Sequence, residues 1–455
     1  MAKKDLTSKM KNGYDRIKKQ ELSLMEEYCE EYKAFIDLGR TERECVATAI
    51  DLLKAKGFKE LKRGMKLKAG DKVYYNNRNK NLNAAVIGKD VKEGANIIAA
   101  HIDSPRLDLK PQPLYEDHEM ALLKTHYYGG IRKYQWVTIP LELHGVVCLT
   151  NGKTIDVKIG EGNEPKLVIT DLLPHLAQEQ SKKPLSEGIT GEGLNILIGS
   201  KPVADSELKD RTKNAILEIL NKKYGIEEDD FISSELEAIP SYLSTDIGLD
   251  GSLIGAYGHD DRVCGYAGLK AIMDVKKPEK TSVLVLADKE EIGSVGVSGM
   301  ISQNFENFMK MITGESDLSE IFEKSFCLSC DVTAAVDPNY LEAFEDHNNA
   351  HINHGIGLCK YTGARGKSGA SDANAETVAK IRKIFDDNDV IWQMSEMGKV
   401  DLGGGGTVAL DMANRNIETI DAGVPVLSMH APFEIVSKLD CYETYKGCLS
   451  VFNAK

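Results

Sequence analysis

Short apolar runs in this chain repeatedly end on a histidine or an acid, and this pattern restricts the fold more than any other feature. Ile97 to Ala100 delivers His101, with Asp103 two residues later. Ser282 to Ala287 leads into Glu290-Glu291, Phe326 to Ser329 into Asp331, and Val424 to Leu427 into His430. Asp260-Asp261 follow the stretch Gly248 to His259. Runs of this length are consistent with buried strands. They alternate with segments of helical period such as Ala373 to Phe385 and Tyr442 to Phe452, a βαβ-like order that predicts a mostly parallel sheet with helices on both faces. In open sheets of this kind the ligand crevice lies outside the carboxyl ends of the strands, so these separate polar stations are expected to converge on one edge.

Other segments punctuate this scheme. From Glu21 to about Lys56 apolar residues recur at helical spacing, and Thr41 with Glu44 forms a capping-box signature, so two helices open the chain. Leu61 to Lys89 reads as short strands and turns. Between Lys110 and Asp246 the pattern changes to alternating segments. There Asn151-Gly152 stands between two β-type runs as a hairpin signal, followed by one amphipathic helix after Asp205 or Ser206. The expectation is a discontinuous catalytic domain, residues 1–109 and 247–455, interrupted by a β-rich insertion at 110–246.

Composition removes several function classes. Lys and Arg number 57 against 70 Asp and Glu, a net charge of −13, which disfavours a phosphate-backbone binder; no nucleic-acid partner is expected. The 9 Cys have no framework spacing and read as free thiols of a reducing cytoplasm. The basic start has no apolar stretch behind it, and no segment reaches the roughly 18 apolar residues of a membrane span, so a soluble cytoplasmic protein is expected.

Two His and several carboxylates at one sheet edge make a mixed nitrogen and oxygen environment that suits Zn²⁺, Co²⁺ or Mn²⁺. Five protein ligands exceed what one open catalytic zinc takes, whereas a shared carboxylate between two ions would use them all. One of the adjacent Glu290 and Glu291 can then bind metal while the other takes the proton of the attacking water. Asp103 is spaced to hydrogen-bond the imidazole of His101 and fix its tautomer. Spacing alone does not separate Asp260 from Asp246 and Asp250 as the central ligand.

Weaker signals carry less. Gly363 to Ser368 resembles a phosphate loop but has two residues between its glycines where a Walker A motif has four. Gly403 to Gly406 could admit a substrate backbone or be a plain turn. Cys327 and Cys330 have redox spacing, although a buried strand explains both thiols. His347, His351 and His354 form a polar cluster whose role is open.

The segments Ala99 to Pro111, Gly258 to Ala271, Ala287 to Gly296, Cys330 to Asn339 and Leu427 to Glu434 together resemble the M18 family of metallo-aminopeptidases, the aspartyl aminopeptidase family. The resemblance implies an α/β/α sandwich catalytic domain interrupted by a β-rich dimerisation domain, and a homododecamer built from dimers. It also implies two divalent ions, zinc first, with cobalt or manganese as alternatives. One ion would be held by His101 and Asp331 and the other by Glu291 and His430. Asp260 would bridge them, Glu290 would be the general base and Asp103 the orienting residue. The chain departs from the family at Asp261, where Asn often stands, and at Thr333 to Asp337, where better known eukaryotic members carry His.

The expected function is therefore a dinuclear aminopeptidase that removes the N-terminal residue of peptides with a free amino end, using a metal-bridging water activated by Glu290. The family name suggests acidic N-termini, for which Lys367, Arg365, Lys399 and Arg262 are the candidate cations. The alternatives are a related co-catalytic hydrolase (an M42-like peptidase, a deacylase or a carboxypeptidase) and a catalytically silent assembly protein.

Overall fold

The structure, a computed structural model, describes Thr7 and residues 10–455. Part of the basic start discussed above therefore lies outside the described residues. The chain divides into two compact units: Met1–Asp103 with Ser244–Met429 and Glu434–Lys455, and Ser104–Leu243 with His430–Phe433.

The first unit is built on a nine-stranded mixed sheet. Its centre is the strand Ala95–His101, buried along its whole length, with parallel neighbours Thr281–Ala287 and Phe326–Ser329. Glu418–Gly423 continues the parallel order beside Phe326–Ser329. Successive side chains of a strand point to opposite faces, and the centre strands obey this with apolar residues on both sides. Ile98, Ala100, Leu284, Leu286 and Leu328 enter one core with the helices Leu22–Leu38, Glu42–Ala55, His259–Asp274 and Lys438–Phe452. Ile97, Ala99, Val283, Val285 and Cys327 enter a second core with the helices Asn304–Thr313 and Val408–Ala413. Water is excluded from both faces, so the strand ends are where polar chemistry can meet solvent.

Sequence and structure agree on several elements. Thr41 accepts the N–H of Glu44 at the start of Glu42–Ala55, as the capping signature implied. The hairpin Lys72–Asn77 to Asn81–Val86 turns through Arg78 and Asn79, both at positive φ, which matches the right-handed twist of the flanking strands.

Other readings are corrected. The sheet is less uniformly parallel than the βαβ pattern predicted: Asn81–Val86 pairs antiparallel with Thr281–Ala287, and Ile356–Cys359 antiparallel with Glu418–Gly423. The run ending at Leu427 does not belong to the large sheet. Pro425–Leu427 joins a separate five-stranded sheet, parallel to Thr333–Ala334 and antiparallel to Glu434–Ser437, while Glu418–Gly423 just before it takes the place in the large sheet. Apolar content cannot divide one long run into two strands of different sheets.

The second unit is antiparallel throughout. Its seven strands follow the order Ser234–Pro240, Arg106–Asp117, Met120–Tyr128, Ile196–Gly199, Leu167–Val168, Pro140–Cys148 and Thr154–Ile159. Ser234–Pro240 also pairs with Pro140–Cys148, so the ring closes and leaves few free edges. The Asn151-Gly152 hairpin is present, with Gly152 at φ 86°. The amphipathic helix spans Arg211–Tyr224, and Asp210 holds the N-cap position in place of the expected Asp205 or Ser206.

Candidate metal and catalytic site

Strand register brings three of the polar stations to one level. His101 is paired with Ala287, and Ala99 with Ser329, so Asp331, two residues past Ser329, emerges beside His101. Glu290 follows three residues past Ala287. Asp260 arrives from a different sheet: the strand Leu253–Ala256 ends, Gly258 turns at φ 80°, and Asp260-Asp261 open the helix His259–Asp274 across a cis peptide bond.

The imidazole of His101 is the hub. Its Nδ1 lies 3.0 Å from the Asp103 carbonyl oxygen and 3.4 Å from the Asp103 carboxylate, acceptors that fix the proton on Nδ1. The opposite nitrogen, Nε2, is then the one that can ligate. It is 3.2 Å from Asp260 Oδ1, 3.9 Å from Asp331 Oδ1 and 3.9 Å from Glu290 Oε2. Asp103 acts on the other side as well, since its two carboxylate oxygens accept the backbone N–H groups of Glu290 and Glu291, each at 3.2 Å.

Electrostatics make the same point. Burial by itself would lower the His101 pKa, but Asp103, Asp260, Asp331 and Glu290 outweigh it and hold the ring well above the ordinary histidine range. Burial, together with Asp261 and the other carboxylates around it, pushes Asp331 well up. Asp261 is raised too, chiefly by burial. Buried carboxylates clustered around one imidazole are favourable ground for a cation. A metal ion fits: His101, Asp260 and Asp331 offer one nitrogen and two oxygens within 4.8 Å of one another. Donors about 2.0–2.2 Å from a shared tetrahedral ion would stand roughly 3.3 Å apart, close to the separations here.

Asp260 and Asp261 part ways in the structure. Asp260 faces His101 Nε2, whereas Asp261 Oδ2 accepts the backbone N–H of His101 at 3.3 Å. His430 stands in the turn between Pro425–Leu427 and Glu434–Ser437 at φ 64°, with Nδ1 2.8 Å from the Gly130 carbonyl oxygen; Nε2 is its remaining ligand nitrogen. Asp246 pairs with Lys33 and Lys438, and Asp250 accepts from Ser252, which engages both elsewhere.

Of the candidate cations, Arg365, Lys367 and Lys399 line one small hollow with Tyr361 and Glu396. Arg262 is buried apart from them and donates from Nε to the Ile102 carbonyl. Cys327 and Cys330 are buried thiols, and the latter lies 3.5 Å from Cys448 Sγ. The rings of His351 and His354 are 5.7 Å apart on their loop, and His347 is exposed.

Two residues gained roles that no motif supplied. Glu434 is buried and accepts the backbone N–H of Asp260 at 3.1 Å. Its strand pairs Glu434 with Ala256, a juxtaposition visible only once the strands are matched. Asp288, also buried, accepts from Ser298 at 2.5 Å and anchors the far side of the Glu290 turn; its place directly after the Ser282 to Ala287 run was the available signal.

Comparison with known proteins bears on the family and the fold. Residues 35–452 match the family described as Aminopeptidase I zinc metalloprotease (M18). The chain is 46% identical over 461 residues to the probable M18 family aminopeptidase 1 of Clostridium acetobutylicum, covering 99% of each. It is 44% identical to the probable M18 family aminopeptidase 1 of Thermotoga maritima, covering 96% of this chain and 97% of that protein. The crystal structure of the Thermotoga maritima M18 aminopeptidase superposes with a TM-score of 0.94 at 43% identity, covering 98% of this chain and 100% of the other. That of aminopeptidase I from Clostridium acetobutylicum gives 0.93 at 45%, covering 99% and 100%. The S. cerevisiae mApe1 dodecamer shares the fold with a TM-score of 0.77 at 22% identity, covering 94% of this chain and 97% of the other. The chain belongs to the M18 family of zinc metallo-aminopeptidases, hydrolases that act at the N-termini of peptides.

Proposed function

We propose that the chain is a dinuclear aminopeptidase in which Glu290 is the general base. The observation that carries this reading is the hub at His101: its tautomer is set by Asp103, and Nε2 faces Asp260, Asp331 and Glu290 within 4 Å. His101 and Asp331 would hold one ion, Glu291 and His430 the other, and Asp260 would be shared. By residue type this second set has the same one-imidazole, two-carboxylate composition as the first. When bound, two divalent ions, zinc first, would polarise the scissile carbonyl and lower the pKa of the attacking water.

The chain's own groups do the rest. Glu290 Oε2 takes the proton of the attacking water and returns it to the leaving amine. Asp103 holds the Glu290 and Glu291 backbone in place during both transfers. Glu434 fixes the backbone at Asp260. Arg365, Lys367 and Lys399 are the cations we assign to an acidic preference at the N-terminal residue.

We further propose that the 110–246 region is a dimerisation domain and that the chain forms a homododecamer; the yeast mApe1 structure is described as a dodecamer. The free cysteines, eight of nine buried, support a cytoplasmic setting. Among the described residues no helix is long and apolar enough to cross a membrane.

The test is Glu290→Gln, assayed on free and N-acetylated aminoacyl substrates of Asp, Glu, Leu and Lys, with metal analysis in parallel. A loss of about 10²–10⁴ in kcat with metal retained is expected. Retained turnover would remove Glu290 from its role, and cleavage of the acetylated substrates alone would replace the aminopeptidase reading with a deacylase.

A further inference from the structure

The unit formed by Ser104–Leu243 and His430–Phe433 encloses space that its own side chains leave empty. The helix Arg211–Tyr224 lies over the antiparallel strands, and between them is a cavity of about 390 Å³. Leu143, Val157, Leu167 and Leu236 line it from the strands, Ile216 and Leu220 from the helix. An apolar void lowers stability in proportion to its volume and does not hold water well. This volume falls in the range of roughly 300–1,000 Å³ typical of small-molecule sites.

Polar groups occur at one place on its lining. Tyr224 spends its hydroxyl on the Lys158 carbonyl. Glu164 and Lys223 form an ion pair at 2.5 Å, and both side chains are about two-fifths exposed, at 42% and 43%. Ile219, one helical turn before Lys223, is 60% exposed. The mouth therefore runs along the Ile219 and Lys223 ridge, with one anion and one cation side by side at the entrance to a hydrocarbon interior.

We propose that this cavity binds a free apolar α-amino acid such as leucine or phenylalanine. The side chain enters the hydrocarbon space, the α-ammonium meets Glu164 and the α-carboxylate meets Lys223. The paired mouth selects the ligand class. A fatty carboxylate at Lys223 would place a second anion beside Glu164, and an alkylamine at Glu164 would place a second cation beside Lys223. A zwitterion inserts with every charge opposite a counter-charge. Free amino acids are also what an aminopeptidase releases, so such ligands are present wherever the enzyme works.

The experiment is calorimetric titration of the intact protein with L-leucine, N-acetyl-L-leucine and octanoate, on the wild type and on two variants. Ile216→Trp fills the cavity, and Lys223→Met removes the carboxylate's partner without filling it. In the wild type we expect a leucine-binding event beyond any at the catalytic site. Ile216→Trp abolishes that event while hydrolysis of a leucyl substrate continues, and Lys223→Met weakens it about tenfold, the loss of one ionic partner. N-acetyl-L-leucine and octanoate bind at least tenfold more weakly than leucine. If Ile216→Trp fails to fold, Lys223→Met carries the test. Equal leucine binding in the wild type and the folded variants, tighter binding of octanoate, or no second event in the wild type overturns the proposal. Hydrolysis is measured separately, so none of these outcomes depends on the catalytic assignment.

Discussion

The carboxylate of Asp103 accepts the backbone N–H of Glu290 at 3.2 Å, tying a residue next to the first histidine to a turn 187 positions further along the chain. Its other oxygen does the same for Glu291. One side chain thus fixes both the tautomer of His101 and the backbone that carries the proposed base, Glu290.

Replacing Asp103 with Ala leaves two part-buried N–H groups without their acceptor and His101 without its carboxylate partner. Activity or metal affinity falls about 10–100-fold. Comparing kcat/KM with metal content separates the two effects, and near-wild-type values for both would contradict the role.

Gly423 supplies a second test, because it sits where a side chain has no room. A Cβ there would lie 1.9 Å from the Asp331 carbonyl oxygen and 3.1 Å from Cys264 Sγ. Gly423→Ala must therefore push the Asp331 segment aside. We expect a stability loss of about 1–3 kcal/mol, the usual cost of overpacking, together with weaker metal binding. Gly366→Ala, where nothing lies within 4 Å, serves as the control and changes neither in calorimetry and metal titration.

Chelation should reveal how much the carboxylate cluster depends on a cation. Removing metal ends hydrolysis and lowers the melting temperature by several degrees. Linkage gives about 3 kcal/mol of stabilisation when free ion stands a hundredfold above its Kd. Adding back Zn²⁺ restores both. A melting curve indifferent to chelator in a protein shown to lose its metal would contradict the account.

Asp421, not itself one of the proposed metal ligands, gives a pH prediction. Burial pushes its carboxyl up to about 6, against which the hydrogen bond from Thr407 at 2.8 Å acts only in part. The folded state holds this proton up to about pH 6, whereas the unfolded chain releases it near 4. Between these values the folded state binds more protons, so stability falls as pH rises through the window. Asp421→Asn removes this dependence. Relative to the wild type, the variant gains about 2 kcal/mol between pH 4 and pH 7, measured by denaturant melts. A constant difference between the two proteins across that range would refute the assignment.

The sequence carried the site further than it carried the sheet. His101, Asp331 and Glu290 were legible because each follows an apolar run, and a strand end is where a buried run must meet polar groups. Glu434 was not legible, because its role depends on pairing with Ala256 nearly 180 residues earlier, and pairing leaves no local trace. Pro425–Leu427 was misplaced for the same reason: one apolar stretch serves two sheets, and only hydrogen bonding decides where the first strand ends. The helix Arg211–Tyr224 was found from its period, whereas its start was missed because Asp210 occupies the cap without a side-chain hydrogen bond.

The register that sets His101 opposite Ala287 and Ala99 opposite Ser329 also makes the chemistry an all-or-nothing reporter of correct assembly. Side chains alternate between faces with a period of two, so a slip of one residue by the Phe326–Ser329 strand would keep a hydrogen-bonded sheet yet turn Asp331 away from the imidazole. A misaligned molecule could look folded by its secondary structure and still take up no metal through this trio. Metal uptake during refolding would therefore time the locking of the three central strands, an event that circular dichroism alone would miss.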